Sequence, residues 1–368
     1  MRGNSENKIA FRVDSSSFIG IGHIRRCLNI AKELKKIGIQ SIFICRNFTD
    51  NNYQDIIESG FKLILLNRPF IIPQENKDET KWLCVESDED ANETINQLNE
   101  LNCKLVFVDH YGICIEWETQ IKNNDIKLIV LDDLNRRHNT DILVDYSFWK
   151  KKENFFNITN NDCLKLVGKD YMPLSKDFKN ISPKHKNFLN LTILISFGGF
   201  DLEGLALKAI HALNQLNQLN QLNIKKVIII SNEYSERKVQ ELLNTVSFGY
   251  QLHISPSNLG FAYAESDICI GSSGVSSFER AYFEIPQLIF VKAHNQVETA
   301  KNLSQRNMAN SVCNFMQSNV TESIKSFANV KNLNKIHKNL KNFINLNGSS
   351  KIANEIKILL NAENSTND

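Results

Sequence analysis

The residue in this sequence best suited to acid–base chemistry is His23, which follows the glycine turn Gly20-Ile-Gly22. An apolar strand pattern ends just before Asp14, and a helical pattern begins directly after the histidine. Ligands of open parallel sheets collect at the carboxyl ends of strands, so Asp14, Gly20 and Gly22 are expected to line a ligand site. A neutral imidazole there can take a proton from water, which typically speeds a reaction by ~10²–10⁴-fold. From the residues alone, His23 can equally cap the helix or contact a ligand without moving a proton.

More polar residues follow two later strand patterns. The run from Asp109 to Gly112 (DHYG) comes after Lys104–Val108, and the pair Asp132-Asp133 comes after Lys127–Leu131. Both groups are expected at carboxyl strand ends, where Tyr111 can orient a ligand. The alternative is local, because an Asp at a strand end often caps the next helix or closes a turn.

In the second half of the chain, two small-residue turns are candidates for phosphate binding. The first is Gly198-Gly199, which follows an apolar strand pattern. The second is the run IGSSGVSSFER, in which Ser273, Gly274 and Ser276 precede or begin a helix and Glu279 lies one turn further on. Small residues let a diphosphate approach the helix N-terminus, and Glu279 can hold both ribose hydroxyls. Alternatively, Ser276 and Glu279 fit a capping box.

The amide pair Asn295-Gln296 follows one more strand pattern and opens the next helix. Side-chain amides in that position can bind ligand hydroxyl or acetamido groups. In isolation, the same pair is typical of a helix cap.

The elements that would position these residues alternate between short apolar runs and segments of helical period, which is typical of βαβ units. The pattern breaks in a lysine- and proline-rich stretch at 181–190, predicted to be an exposed linker. We therefore predict two Rossmann-like, doubly wound α/β domains, at 1–180 and 191–360, facing across a cleft, with a frayed tail at 361–368. The repeat LNQLNQLNQLN at 213–223 forms no steady helical stripe and is predicted to be a surface helix or loop.

Bulk properties exclude several classes of function. With 43 basic and 41 acidic residues the formal charge is +2, too small to favour nucleic acid as a partner. The eight cysteines show no zinc-ligand spacing, so neither metal nor disulfide is expected. The third glycine of a dinucleotide fingerprint would fall at Arg25, which disfavours NAD, and no other cofactor is indicated. The sequence shows no membrane span and no secretory signal, so a cytoplasmic location is expected, with no obligate protein partner.

Taken in order, these motifs resemble the UDP-2,4-diacetamido-2,4,6-trideoxy-β-L-altropyranose hydrolases of pseudaminic acid biosynthesis, relatives of GT-B glycosyltransferases. The resemblance extends from Ile9 to about Leu303. It is carried by six segments: FRVDSSSFIGIGHIRRCLNIA, VDHYG, LDDLNRRHNTDILVDYS, ISFGGFD, IGSSGVSSFERA and HNQ.

The resemblance implies a metal-independent enzyme whose small-molecule UDP-sugar lies between the domains, with the nucleotide on the second and the sugar facing the first. It implies that His23 activates water and that Asn295, with Gln296, lies near the sugar or the water. Tyr111 resembles a sugar contact, and Glu279 resembles the ribose-binding glutamate of the wider fold. Water would attack the anomeric carbon, break the C1–O bond, release UDP and invert the configuration.

Three other functions are compatible with the sequence. A GT-B glycosyltransferase would use the same UDP-binding residues with an acceptor in place of water. A UDP-sugar 2-epimerase fits the fold, but its usual spread of acidic and basic groups is not found. A non-catalytic nucleotide-sugar sensor would bind the ligand unchanged and would not require His23.

Overall fold

The computed structural model describes residues 7–70, 78–198, 201, 204–233, 235–312 and 319–366, with side chains of the last helix described to residue 362. The chain divides into two compact units. The first unit comprises residues up to Lys176 together with those from Leu346 onward, and the second comprises Asp177–Asn345. This division differs from the predicted one, because the C-terminal segment belongs to the first unit.

Within the described residues, the first unit contains a seven-stranded sheet in the order β3-β2-β1-β4-β5-β6-β7, in which every strand pair is parallel. Central strands of such sheets are covered on both faces, which explains why β1 is buried along almost its whole length. The strands are β1 (Lys8–Val13), β2 (Gln40–Arg46), β3 (Lys62–Leu66), β4 (Leu105–Asp109), β5 (Lys127–Leu131), β6 (Ile142–Asp145) and β7 (Leu164–Val167).

The helices of the first unit connect these strands. Helix α1 buries Ile24, Leu28, Ala31 and Leu34 and ends beside Gly38, which adopts a φ of +79°, as is common just after a helix. The helices are α1 (Gly22–Lys36), α2 (Gln54–Glu58), α3 (Ser87–Glu100), α4 (Ile115–Lys122) and α12 (Gly348–Thr366). Helix α12 packs on α1 and extends to Thr366, and the frayed tail at 361–368 stays a prediction.

The second unit repeats the architecture, with a parallel sheet of six described strands in the order β10-β9-β8-β11-β12-β13. The strands are β8 (Leu191–Ser196), β9 (Ile224–Ser231), β10 (Tyr250–Ile254), β11 (Ile268–Ser272), β12 (Gln287–Phe290) and β13 (Asn310–Val312). The helices are α5 (Leu205–Gln218), α6 (Glu236–Leu243), α7 (Gly260–Glu265), α8 (Val275–Tyr282), α9 (Val297–Gln305), α10 (Val320–Phe327) and α11 (Val330–Leu340). Both sheets therefore confirm the predicted pair of Rossmann-like α/β domains.

Each sheet reverses its strand order once. The reversal falls between β1 and β4 in the first unit and between β8 and β11 in the second. Loops at the carboxyl ends of strands diverge at such a point and leave a crevice, where open α/β sheets bind their ligands. The topology alone therefore marks the loops after these four strands.

The stretch at 181–190, predicted to be an exposed linker, exposes five of its ten residues and is attached to the second unit. The buried Asp267 carboxylate accepts hydrogen bonds from Lys184 Nζ (2.9 Å) and from the backbone amides of Asn187 (2.8 Å) and Thr192 (2.7 Å). Lys186 Nζ donates to the Ser266 carbonyl at 2.8 Å. Lys184 and Lys186 therefore attach this segment to the second unit.

The leucine–asparagine repeat is partly core. Helix α5 continues into it as far as Gln218 and buries Leu213 and Leu216 completely, whereas Leu219 is exposed. Asn214 Oδ1 accepts a hydrogen bond from the Ser247 amide at 2.9 Å. The predicted surface helix is therefore correct for one face only, because two leucines three residues apart lie on the side that packs.

Candidate active site

His23 is the second residue of α1, directly beside the strand reversal of the first sheet. The turn before it closes through a 2.8 Å hydrogen bond from the Gly20 amide to the Ser16 carbonyl. Gly20 adopts a φ of +81°, which only glycine reaches without strain, so the turn requires this residue type. The side chain of His23 is nine-tenths buried, with 8% of its surface exposed.

Asp109, the last residue of β4, fixes the orientation of the His23 ring. Its Oδ1 lies 2.7 Å from His23 Nδ1, and its carboxyl group is completely buried. Burial alone would raise the pKa of Asp109, but the charge of Arg26, together with the hydrogen bonds from His23 and Arg26, outweighs it and lowers the pKa to about 2. Because an ionised carboxylate only accepts hydrogen bonds, the proton of the neutral ring lies on Nδ1 and the lone pair on Nε2. This is the tautomer that a general base requires.

Arg26, one turn after His23, holds the other side of the same carboxylate. Its Nε and Nη2 each donate to an Asp109 oxygen at 2.6 Å, and Nη2 also lies 2.9 Å from His23 Nδ1. Its Nη1 donates to the hydroxyl of Tyr146 at 2.5 Å. A bidentate guanidinium restricts the carboxylate to one position, so Arg26 positions the histidine indirectly.

Aromatic rings surround the histidine. The ring of Tyr111 lies edge-on at 4.7 Å from the His23 ring, and that of Trp82 lies at 6.0 Å. The Tyr111 hydroxyl donates to Asp133 Oδ1 at 2.5 Å, and burial together with the charge of Asp133 raises the pKa of this tyrosine well above its usual value. Tyr111 therefore stays neutral and presents its ring, not a phenolate, beside the histidine.

Asp14, predicted to contact a ligand, is completely buried. Its carboxylate accepts hydrogen bonds from Arg12 Nη1 and from the Arg46 amide, both at 2.6 Å. His110 Nε2 lies 3.1 Å from Asp14 Oδ2, while its Nδ1 accepts a hydrogen bond from the Gly112 amide. Asp14 is thus enclosed by side chains of its own unit, and its contact with a ligand stays a prediction.

In the second unit, the predicted phosphate-binding residues follow the strands on either side of the reversal, β8 and β11. Gly198 follows β8 with a φ of +88°, whereas Gly199 lies outside the described residues. Ser273 and Gly274 connect β11 to α8, and Gly274 has a φ of +124° and a ψ of −160°, a conformation restricted to glycine.

Ser276 and Glu279 do not form the alternative capping box. Helix α8 begins at Val275, so Ser276 already lies inside the helix, and no side chain caps the helix at Gly274. Glu279 Oε2 accepts a hydrogen bond from the Tyr263 hydroxyl at 2.7 Å, and the residue is 8% exposed. Its carboxylate is thus held by a neighbouring ring and keeps a second oxygen for another partner.

Asn295 and Gln296 lie in a short 3₁₀ turn, residues 294–296, between β12 and α9. Gln296 Oε1 accepts a hydrogen bond from the Lys292 amide at 3.1 Å, which closes the turn. The pair therefore follows a strand end of the second sheet, as predicted.

No helix among the described residues is long and apolar enough to cross a bilayer, and the described side chains form no group of three or more metal ligands.

The comparisons with solved structures identify the fold. The calicheamicin glycosyltransferase CalG4 superposes with a TM-score of 0.67 at 12% identity, covering 97% of this chain and 99% of that one. The chain has the GT-B fold. S. aureus MnaA, solved as a co-structure with UDP, superposes with a TM-score of 0.63 at 12% identity, covering 96% of this chain and 97% of that one.

Two curated proteins are distantly similar in sequence, and no protein-family model matches the chain. An uncharacterised protein of Methanocaldococcus jannaschii is 25% identical over 79% of this chain and 57% of its own length. The UDP-2,4-diacetamido-2,4,6-trideoxy-β-L-altropyranose hydrolase of Campylobacter jejuni is 26% identical over 55% of this chain and 64% of its own length. The chain thus spans less than two thirds of either relative.

Sequence reasoning missed the partners of the histidine. Asp109 was interpreted as a residue that lines a crevice or caps a helix, and Arg26 was not singled out. The signal for Arg26 was its spacing, because residues three apart on a helix share a face. For Asp109, the signal was the predicted fold, because a doubly wound strand order places β4 next to β1.

Proposed function

We propose that this chain is a nucleotide-sugar hydrolase that releases UDP from UDP-2,4-diacetamido-2,4,6-trideoxy-β-L-altropyranose. The observation that carries the proposal is the His23–Asp109 pair, which leaves Nε2 of a nine-tenths-buried imidazole as a base. The choice of substrate is supported by the distant similarity to the Campylobacter jejuni hydrolase.

In the proposed reaction, His23 Nε2 takes a proton from water as the water oxygen bonds to the anomeric carbon. The C1–O bond breaks, its electron pair leaves with UDP, and the configuration at C1 is inverted. Asp109 accepts the hydrogen bond from Nδ1 and stabilises the imidazolium that forms. Tyr111, Asn295 and Gln296 are proposed to contact the sugar, and Gly20 and Gly22 to let it approach the backbone.

The nucleotide is proposed to bind the second unit. The Ser273–Gly274 loop and Gly198, with Gly199, would receive the diphosphate, since the first amides of α8 and its dipole favour an anion. Ser276 would lie beside the same phosphates. Glu279, held by Tyr263, would bind the ribose hydroxyls through its remaining oxygen.

A glycosyltransferase is the second candidate, favoured by the structural likeness to CalG4. The test is UDP release from the diacetamido-trideoxy substrate without any acceptor. We expect steady release with many turnovers per enzyme molecule. Release that appears only when an acceptor is added would favour the transferase, and tight binding without turnover would favour a sensor; either result contradicts the hydrolase.

A further inference from the structure

Arg280, on α8, is a completely buried cation whose hydrogen-bond partners are all neutral. Its Nε donates to Gln287 Oε1 at 2.8 Å, and its Nη2 donates to the Ser272 carbonyl at 2.6 Å and to Ser277 Oγ at 3.0 Å. Its Nη1 lies 3.3 Å from Ser276 Oγ. Among the described residues no carboxylate forms an ion pair with this guanidinium, so its charge is hydrogen-bonded but not neutralised.

The buried arginines of the first unit are arranged differently. Arg12 pairs with Asp14 and Asp90, and Arg26 pairs with Asp109, all through buried carboxylates. A buried charge is costly unless an opposite charge compensates for it. The positive charge of Arg280 should therefore be compensated by a bound anion.

The partners of Arg280 surround one loop. Ser272 ends β11, and Ser276 and Ser277 lie in the first turn of α8, so the guanidinium lies behind the Ser273–Gly274 connection. The hydroxyl of Ser273 gives a second, independent sign of a ligand at this point. It is buried, with the residue 5% exposed, and it has no hydrogen-bond partner in the described part of the chain. Buried hydroxyls without a partner are rare, and a phosphate oxygen would satisfy this one.

We infer that Arg280 supplies the charge with which this loop binds the diphosphate of UDP. It is a positioning residue: it holds the loop through Ser272, Ser276 and Ser277, and it attracts the phosphates without touching them. The charge acts through a buried, weakly screened region, where electrostatic attraction persists over several ångströms. This inference rests on the proposed function, since it assumes that UDP is the ligand.

The test compares the affinities of UDP and uridine by calorimetry, because only UDP carries the phosphates. We expect Arg280→Met to weaken UDP binding at least about tenfold and to leave uridine binding within about twofold. Arg280→Lys should retain part of the difference, because it keeps the charge and loses the forked geometry. The matched control is Arg237→Met, which removes an exposed arginine of α6 and should change neither affinity.

Should Arg280→Met fail to fold, Arg280→Lys and Ser277→Ala decide the question. Each should lower the ratio of UDP to uridine affinity, Ser277→Ala by removing one hydrogen bond to Nη2. An unchanged ratio in both, or an equal loss of UDP and uridine affinity, overturns the role of Arg280. Wild-type protein that binds neither ligand contradicts the proposed function instead, so the two failures are distinguishable.

Discussion

His23 and Asp109 lie 86 residues apart in the chain, yet Nδ1 of the first is 2.7 Å from Oδ1 of the second. One begins the helix after β1 and the other ends β4, the two strands between which the sheet reverses its order. The contact therefore follows from topology as much as from residue type. It gives His23 a fixed tautomer.

Asp109→Asn should impair the chemical step. An amide in place of the carboxylate no longer stabilises a charged His23 ring or fixes Nδ1 as the donor, so we expect kcat to fall by ~10²–10⁴-fold. The affinity for UDP should stay the same, since the nucleotide is proposed to bind the other unit. Steady-state kinetics and calorimetry measure the two effects. Asp141→Asn is the control, because this aspartate pairs with Lys122 just before β6. A variant with unchanged kcat would show that Asp109 does not assist the base.

Two substitutions of Tyr111 separate the effect of its ring from the effect of its hydroxyl. Tyr111→Phe keeps the ring 4.7 Å from His23 and loses only the hydrogen bond to Asp133, so kcat/KM should fall less than tenfold. Tyr111→Ala removes a buried aromatic side chain and should also lower the free energy of unfolding by about 3–5 kcal/mol. Kinetics and urea denaturation measure both. If kcat/KM of Tyr111→Phe fell by more than tenfold, the hydroxyl itself would take part in the reaction.

The pH dependence of the free energy of unfolding should reveal the proton bound by His138. Burial alone would lower the pKa of His138, but the nearby carboxylates of Asp132 and Glu118, the second hydrogen-bonded to the ring at 2.7 Å, outweigh it and raise the pKa to about 9. The folded chain thus binds this proton more tightly than the unfolded chain, whose histidine titrates near pH ~6.5. The stabilisation is complete below that pH and disappears as the pH rises through 9.

The stabilisation by protonated His138 that is lost as the pH rises is on the order of 3 kcal/mol in the free energy of unfolding. Urea denaturation of wild type and His138→Gln at pH 6, 7.5 and 9 measures it. The destabilisation caused by the variant should be largest at pH 6 and shrink as the pH rises. His185→Gln, at an exposed position, is the control. A destabilisation that is the same at every pH would contradict the proposed charge on His138.

Substitution of Glu279 should weaken the binding of the ribose part of UDP and leave the contribution of the phosphates to affinity unchanged. If its free oxygen binds the ribose hydroxyls, Glu279→Gln should weaken UDP and uridine by the same factor, about tenfold. The ratio of the two affinities should not change, in contrast to the result expected for Arg280. Calorimetry with 2′-deoxyuridine adds a check, because the variant should lose less affinity for this ligand than for uridine. Full uridine affinity in Glu279→Gln would argue against ribose recognition.

The sequence predicts the central strands well because they are buried on both faces and therefore almost entirely apolar. Lys127–Leu131 forms a strand with the predicted bounds, and the predicted strand Lys104–Val108 is shifted by one residue to Leu105–Asp109. The strands β6, β7, β10 and β13 were not predicted. They are three to five residues long, and β7, β10 and β13 are partly exposed, so each gives only a weak or very short apolar pattern.

Composition was a poor guide where polar residues are paired. The lysines of 181–190 suggested a linker, but the buried Asp267 anchors the segment. Asp14 was predicted to contact a ligand because it follows a strand, yet Arg12 and His110 enclose it. In both cases a partner, Asp267 or His110, is distant in the sequence, so a one-dimensional pattern cannot show that the charge is already satisfied. His23 was predicted because its turn has a local signature.

The most direct test follows the oxygen atom. Wild type and His23→Ala are incubated with the diacetamido-trideoxy UDP-sugar in ¹⁸O-water without acceptor, and early samples are analysed by mass spectrometry. His294→Ala is the control, since it removes an exposed histidine beside the proposed sugar-binding amides. We expect label in the free sugar and none in UDP, at a rate at least ~10²-fold lower in His23→Ala and unchanged in His294→Ala. Label in UDP, or a His23→Ala variant as active as wild type, would contradict hydrolysis at C1 with His23 as the base.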